Sequence, residues 1–212
     1  MSKKYLWKSM RMGLKSEYGK INWKMGEWRK VTGELEMCEN GFHASERIID
    51  SMHHIAMECL AKVEVRGDHL EQSNKQCWEE MRIVKAWNWE KKDSVSLAIY
   101  ATSLVLKNFE KVYPNDKRPR QAIQSARKWL KYPTEENRLA AGSAALSATW
   151  SVWSAAESAE RSAAWSAESA AESAARSAAW SAAGSAAGSD KVLNKIEAWI
   201  KRRIKTLEEE KT

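Results

Sequence analysis

The chain has 212 residues, enough for one or two domains and a real core, and a net charge of +7 built from 35 basic and 28 acidic side chains. The two signs are interspersed, which describes a solvated surface more than a dedicated nucleic-acid protein. Three cysteines, odd in number and unpatterned, point to a reduced, cytosolic setting rather than a disulfide framework, and the start MSKKYLWKSM has no apolar signal core. With no apolar run of about 18 residues to cross a bilayer, the expectation is a soluble, cytoplasmic protein with no membrane partner.

Residues 1–90 read as a small α+β domain. Tyr5-Leu6-Trp7 is a short apolar start, and Gly13, Gly19, Gly26 and Gly33 punctuate residues 13–33 with turns between short strands. Leu35-Glu36-Met37-Cys38 alternates, Glu39-Asn40-Gly41 forms a turn, and Ser45 is positioned to cap a helix over 46–57 with Ile48, Ile49, Met52, Ile55 and Ala56 on its apolar face. Cys59–Val65 alternates as a strand ending at Arg66-Gly67-Asp68, and Met81–Trp87 reads as a final strand.

Residues 91–212 read as all-α and Ala/Ser-rich. Asp93 or Ser94 caps a helix running to about Tyr113, where Pro114 stops it. Pro119 opens the next helix, with Ala122, Ile123, Ala126, Trp129 and Leu130 apolar, and Thr134 caps the start of a long segment over 134–189. The last helix, 191–209, comes after Asp190 and repeats Val192, Leu193, Ile196, Trp199, Ile200, Ile204 and Leu207 at helical spacing.

The stretch from Ser143 to Ser189 has its own rhythm. Serine recurs every four residues with an occasional three, and SATW, SAAW and SAAW begin at 147, 162 and 177, fifteen residues apart. That is about 3.75 residues per turn, a helical period with a slight right-handed supercoil. Alanine comes after most serines, so an Ala seam faces inward while a variable stripe faces the other way. Successive stripe tryptophans four turns apart stand roughly 22 Å apart along the axis. The stretch is compatible with one rod or with two shorter helices. Trp150, Trp153, Trp165 and Trp180, with Arg161 and Arg176, are either packing residues under a second element or a recognition surface for a partner. The Ala seam also suits a homo-oligomer.

Two segments resemble known families. YLWK, Trp28–Val31, CENGFHAS (38–45), VEVRGD (63–68) and MRIVKAW (81–87) resemble an uncharacterised phage and prophage domain. FEKVYPNDKRPRQAIQSARKWL (109–130) with the Ala repeats after it resembles the Imm-5-like immunity-protein domain. The resemblance implies a phage or mobile-element origin, hence the host cytoplasm, and a helical C-terminal half. It carries over no catalytic residues.

Candidate sites are few. His43, at a turn, suits a structural histidine bonded to backbone or, in an ADP-ribosyltransferase-like domain, a nucleotide ligand with Tyr5, Arg11 and Glu64 as partners. Cys38, His43, His53, His54 and Cys59 contain metal-ligand types without CxxC spacing, so no metal and no cofactor is expected. Lys117, Arg118, Arg120, Arg127 and Lys128 form a basic cluster over 117–128 that suits phosphate or nucleic acid, or an ion-paired turn locked by Asp116. The leading expectation is a non-enzymatic phage accessory protein that binds and inhibits a host protein, a component of antiviral defence. Nucleotide binding by residues 1–90 and nucleic-acid binding by the basic cluster are the alternatives.

Overall fold

The computed structural model describes residues 3–18, 21–52, 57–143 and 190–210. It divides into two compact units, the first Met1–Glu90 with Ile200–Thr212, the second Lys91–Trp199. The α+β start and the helical second part agree with the sequence reading.

The first unit is built on strands β1 (Lys4–Met10), β2 (Arg29–Lys30), β3 (Phe42–Ala44), β4 (Cys59–Glu71) and β5 (Gln76–Asn88). All pairs are antiparallel, in the order β1-β4-β5-β2, with β3 also on β5. Just past β3, Ser45 exchanges two 2.8 Å backbone bonds with Trp7 of β1. This ties the end of β3 back to the free edge of β1, so the sheet curls round its own core and that edge is partly covered. Period-two alternation turns Leu6 and Met10 of β1 and Ala61, Val63 and Val65 of β4 onto one face. There they meet Trp23, Phe42, Trp78, Met81 and Ile83 in a single apolar cluster.

Three expectations change here. The strand end read at Arg66-Gly67-Asp68 is a β-bulge, and β4 continues through it to Glu71. Gly67 at φ +85° leaves room for the Glu79 carboxylate, to whose Oε2 Asp68 N–H donates at 3.3 Å. The helix read over 46–57 is one turn, α1 (Ile48–Ser51), with Arg47 rather than Ser45 at the N-cap position and no side-chain cap bond, and Ile55 and Ala56 lie outside the described residues. Ser45 is occupied by its pairing with Trp7, and its Oγ donates to Asn74 O at 2.8 Å. The alternation at Leu35–Cys38 does not make a strand: Glu36 and Asn40 close a tight turn instead.

The second unit holds α2 (Lys91–Val112) and α3 (Arg118–Lys131), with Ala98, Ala101 and Ile123 buried. Helix then resumes at 135 and is described to 143. Thr134 caps it as expected, its Oγ1 accepting from Asn137 N–H at 3.2 Å. The last helix, α4 (Asp190–Glu209), contributes to both units: Trp199 stacks on Tyr100 at 5.9 Å within the second, and residues from Ile200 onward group with the sheet. Glu208 closes that end, accepting from Trp87 Nε1 at 3.1 Å and pairing with Lys85.

Candidate functional site: the corner around His43

Several titratable side chains of the first unit gather where the Glu36–Asn40 turn rests on the start of β5. The turn is locked by reciprocal 2.9 Å bonds between Glu36 and Asn40, and Asn40 Nδ2 donates to Thr32 O at 3.0 Å and Glu34 O at 2.8 Å. Cys38 stands in it at φ +73°, a left-handed conformation that a non-glycine residue adopts at a cost of about 1 kcal/mol or more. Gly41 comes next, then β3 drops Phe42 and Ala44 into the core and leaves His43 facing Cys77, its partner in the β3–β5 register.

His43 is the hub. Its Nε2 accepts from Cys38 N–H at 3.1 Å, so the neutral ring carries its proton on Nδ1. Its carbonyl accepts from Lys8 Nζ at 2.8 Å, from across the sheet. Burial first, then the charges of Lys8 and Lys75, lower its pKa from 6.5 to about 4. Lys8 itself, reaching from the core face of β1 toward the Trp23 ring (6.0 Å), is lowered from 10.5 to about 8 by burial. Lys75 Nζ donates to the exposed Cys38 Sγ at 2.9 Å. Cys77 Sγ, buried, lies 3.7 Å from Asn40 O and 3.9 Å from Glu36 O. Burial, then Cys38, pushes the Cys77 thiol up.

The residues proposed alongside His43 go elsewhere. Tyr5 and Glu64 are register partners on the opposite face of the sheet. Tyr5 lies under Lys62 Nζ at 4.9 Å, and buried Glu64 accepts from Arg82 Nε at 3.0 Å and Nη2 at 2.7 Å. Trp28 completes that face by packing its ring against both Arg66 (3.9 Å) and Arg82 (4.9 Å). Arg11 is committed to Glu17 and Glu58. The Cys38–His43 spacing does bring those two together, through a main-chain hydrogen bond that uses the imidazole lone pair a metal would need. Among the described residues no group of three or more His, Cys, Asp or Glu is arranged to hold a metal ion. His53 and His54 lie outside the described residues.

In the basic cluster, Arg118 makes a two-pronged pair with Asp116 at 2.8 and 3.0 Å, and Arg120 another with Glu110 at 2.7 Å. Lys117 Nζ donates to Pro114 O at 2.6 Å. These bonds join the turn to its flanking helices, the locking arrangement weighed from the sequence. Trp150, Trp153, Arg161, Trp165, Arg176 and Trp180, together with the Ala seam, lie outside the described residues. No helix among the described residues is long and apolar enough to cross a membrane. Sequence reasoning did not find Lys8 and Lys75, which reach the corner from 35 and 37 positions away along the chain; only the sheet register places them there.

Residues 4–92 match the model of a family described as a domain of unknown function (DUF7666). No curated protein and no solved structure matches the chain.

Proposed function

We propose that the chain is a non-enzymatic accessory protein of phage origin that binds and inhibits a host protein, a component of antiviral defence. The observation that carries this reading is the recurrence of tryptophan at 150, 165 and 180 in a fifteen-residue sequence repeat, with Trp153, Arg161 and Arg176 likewise directly before a serine. Tryptophan and arginine dominate the energetics of protein recognition, and the repeat spaces them regularly along the sequence. The phage-like segments CENGFHAS and YPNDKRPRQAI supply the proposed origin and the likeness to an immunity-protein domain. The described candidates for small-ligand chemistry favour recognition over catalysis. His43, Glu64, Arg11, Arg118 and Arg120 each already serve an internal partner.

The test is co-purification of tagged protein from infected host cells with quantitative mass spectrometry, and then calorimetry with the purified partner. One host protein should be retained in stoichiometric amount. Trp165→Ala and Trp180→Ala should each weaken its binding at least tenfold, about 1.4 kcal/mol or more, with the circular dichroism spectrum unchanged. Absence of a stoichiometric partner, or variants that lose binding only by unfolding, overturns the reading.

A further inference from the structure

Two thiols and an ammonium group converge on the Glu36–Asn40 turn. Cys38 is exposed on it, with the Lys75 ammonium 2.9 Å from its sulfur. Cys77 is buried under it, within 4 Å of the carbonyls of Glu36 and Asn40, the two residues whose mutual bonds close the loop that carries Cys38. The buried sulfur therefore lies against the same turn as the exposed one. Cys59 is also buried, but at the start of β4, where its sulfur lies 3.9 Å from Leu60 O.

We propose that Cys38 and Cys77 are an oxidant-reactive pair, in which the Cys38 sulfur attacks a hydroperoxide and Cys77 resolves the product to a disulfide. In the first step the Cys38 sulfur displaces the far oxygen of the peroxide. The O–O bond breaks, an S–O bond forms, and the thiol proton leaves with the departing oxygen as water or alcohol. In the second step the Cys77 sulfur attacks the sulfenic sulfur. The S–O bond breaks, the leaving hydroxide takes the Cys77 proton as water, and the S–S bond forms. The two thiols give up two electrons and the peroxide accepts them.

The order of attack is set by placement. Cys38 meets solvent, where a peroxide can reach it, and the Lys75 ammonium donates to its sulfur at 2.9 Å. Cys77 is shielded, and burial keeps it protonated and unreactive until an electrophilic sulfur appears beside it. Cys38 is carried by the short turn whose Glu36 and Asn40 carbonyls lie within 4 Å of the Cys77 sulfur, so the bridge asks only for rearrangement of that turn.

The full-length protein, reduced and folded, is treated with hydrogen peroxide, digested and analysed by mass spectrometry. The expected product is a peptide pair joined through Cys38 and Cys77, two hydrogens lighter than the sum of its parts. Cys77→Ala should instead leave Cys38 as a sulfenic acid that dimedone traps, and Lys75→Met should slow Cys38 oxidation by about tenfold. The joined peptide is read on the unaltered chain, so a Cys77 variant that fails to fold leaves the test intact. The proposal is overturned if Cys38 reacts no faster than glutathione in the same solution. It is equally overturned if Cys38 bridges to Lys75 or to a second chain in place of Cys77, or if Lys75→Met reacts at the unaltered rate.

Discussion

Replacing Gly41 by alanine tests whether the corner is as tightly closed as its geometry states. Gly41 sits at φ +149°, where a side chain is strained, and a Cβ there would stand 2.1 Å from Cys77 Sγ and 3.2 Å from Leu35 Cδ2. The first distance is far inside contact, so either the Cys77 side chain or the turn must move. Overpacking of this kind costs about 1–3 kcal/mol, and the forced backbone adds about 1–3 kcal/mol. Gly41→Ala should therefore lose roughly 2–6 kcal/mol, a large part of the ~5–15 kcal/mol that holds a typical domain. Urea unfolding monitored by tryptophan fluorescence gives the loss as a shift in midpoint. The two contributions separate in a double-mutant cycle with Cys77→Ala, which removes the clashing sulfur and leaves the backbone strain. The double variant should be more stable than the sum of the single losses by about 1–2 kcal/mol. A Gly41→Ala loss under about 0.5 kcal/mol, or strictly additive losses, would refute the reasoning.

Lys8, lowered from 10.5 to about 8 by burial against the smaller opposing charge of Cys77, binds protons less readily folded than unfolded. Stability should thus rise with pH between about 8 and 10.5, by at most ~3 kcal/mol because the half-buried side chain is partly screened by water. Lys8→Met should remove that rise when urea midpoints are compared across the window. An imidazole titration by NMR should place His43 near 4 with the proton on Nδ1, and Lys8→Met should move the midpoint upward; a wild-type midpoint above 6 contradicts the buried, cation-flanked setting. Arg82→Ala strands the buried Glu64 carboxylate and should cost about 3 kcal/mol in urea unfolding, clearly more than Arg120→Ala at an exposed pair. Ile204→Ala, at a residue 7 % exposed on the part of α4 that groups with the sheet, should cost about 2–4 kcal/mol and loosen the Trp87–Glu208 contact, seen as a shift in tryptophan emission.

Local chemistry made much of this fold readable. Thr134 caps a helix because a hydroxyl at that position can satisfy an orphan N–H, and Pro119 sits in the first turn of α3 where its missing donor costs nothing. What escaped is governed by distant partners. Ser45 has the chemistry of a cap, but the edge of β1 offers it two backbone bonds, and the helix starts after Arg47 instead. Gly67-Asp68 has the composition of a turn, yet β5 lies opposite with Glu79 ready to fill the glycine's space, so the strand bulges and goes on. The apolar residues of α4 continue at helical spacing across Trp199 and Ile200, so the sequence carries no mark of the boundary there.

The same division runs through the corner. Cys38 and His43 are legible in the sequence as two metal-ligand types close together, and the pair is real, but the atom Cys38 offers His43 is its amide hydrogen rather than its sulfur. That difference turns on the left-handed φ of Cys38, which only the closed turn can impose. With the amide spent on the imidazole, the sulfur points out to Lys75, and with the imidazole spent on the amide, His43 is held neutral beside two lysines. The chemistry thereby passes from the histidine, which the sequence made conspicuous, to the sulfur atoms on either side of the turn. Nothing in the spacing of Cys38, Lys75 and Cys77 marks them as a group; the register of β3 against β5 assembles them, and a register is a property of the whole sheet.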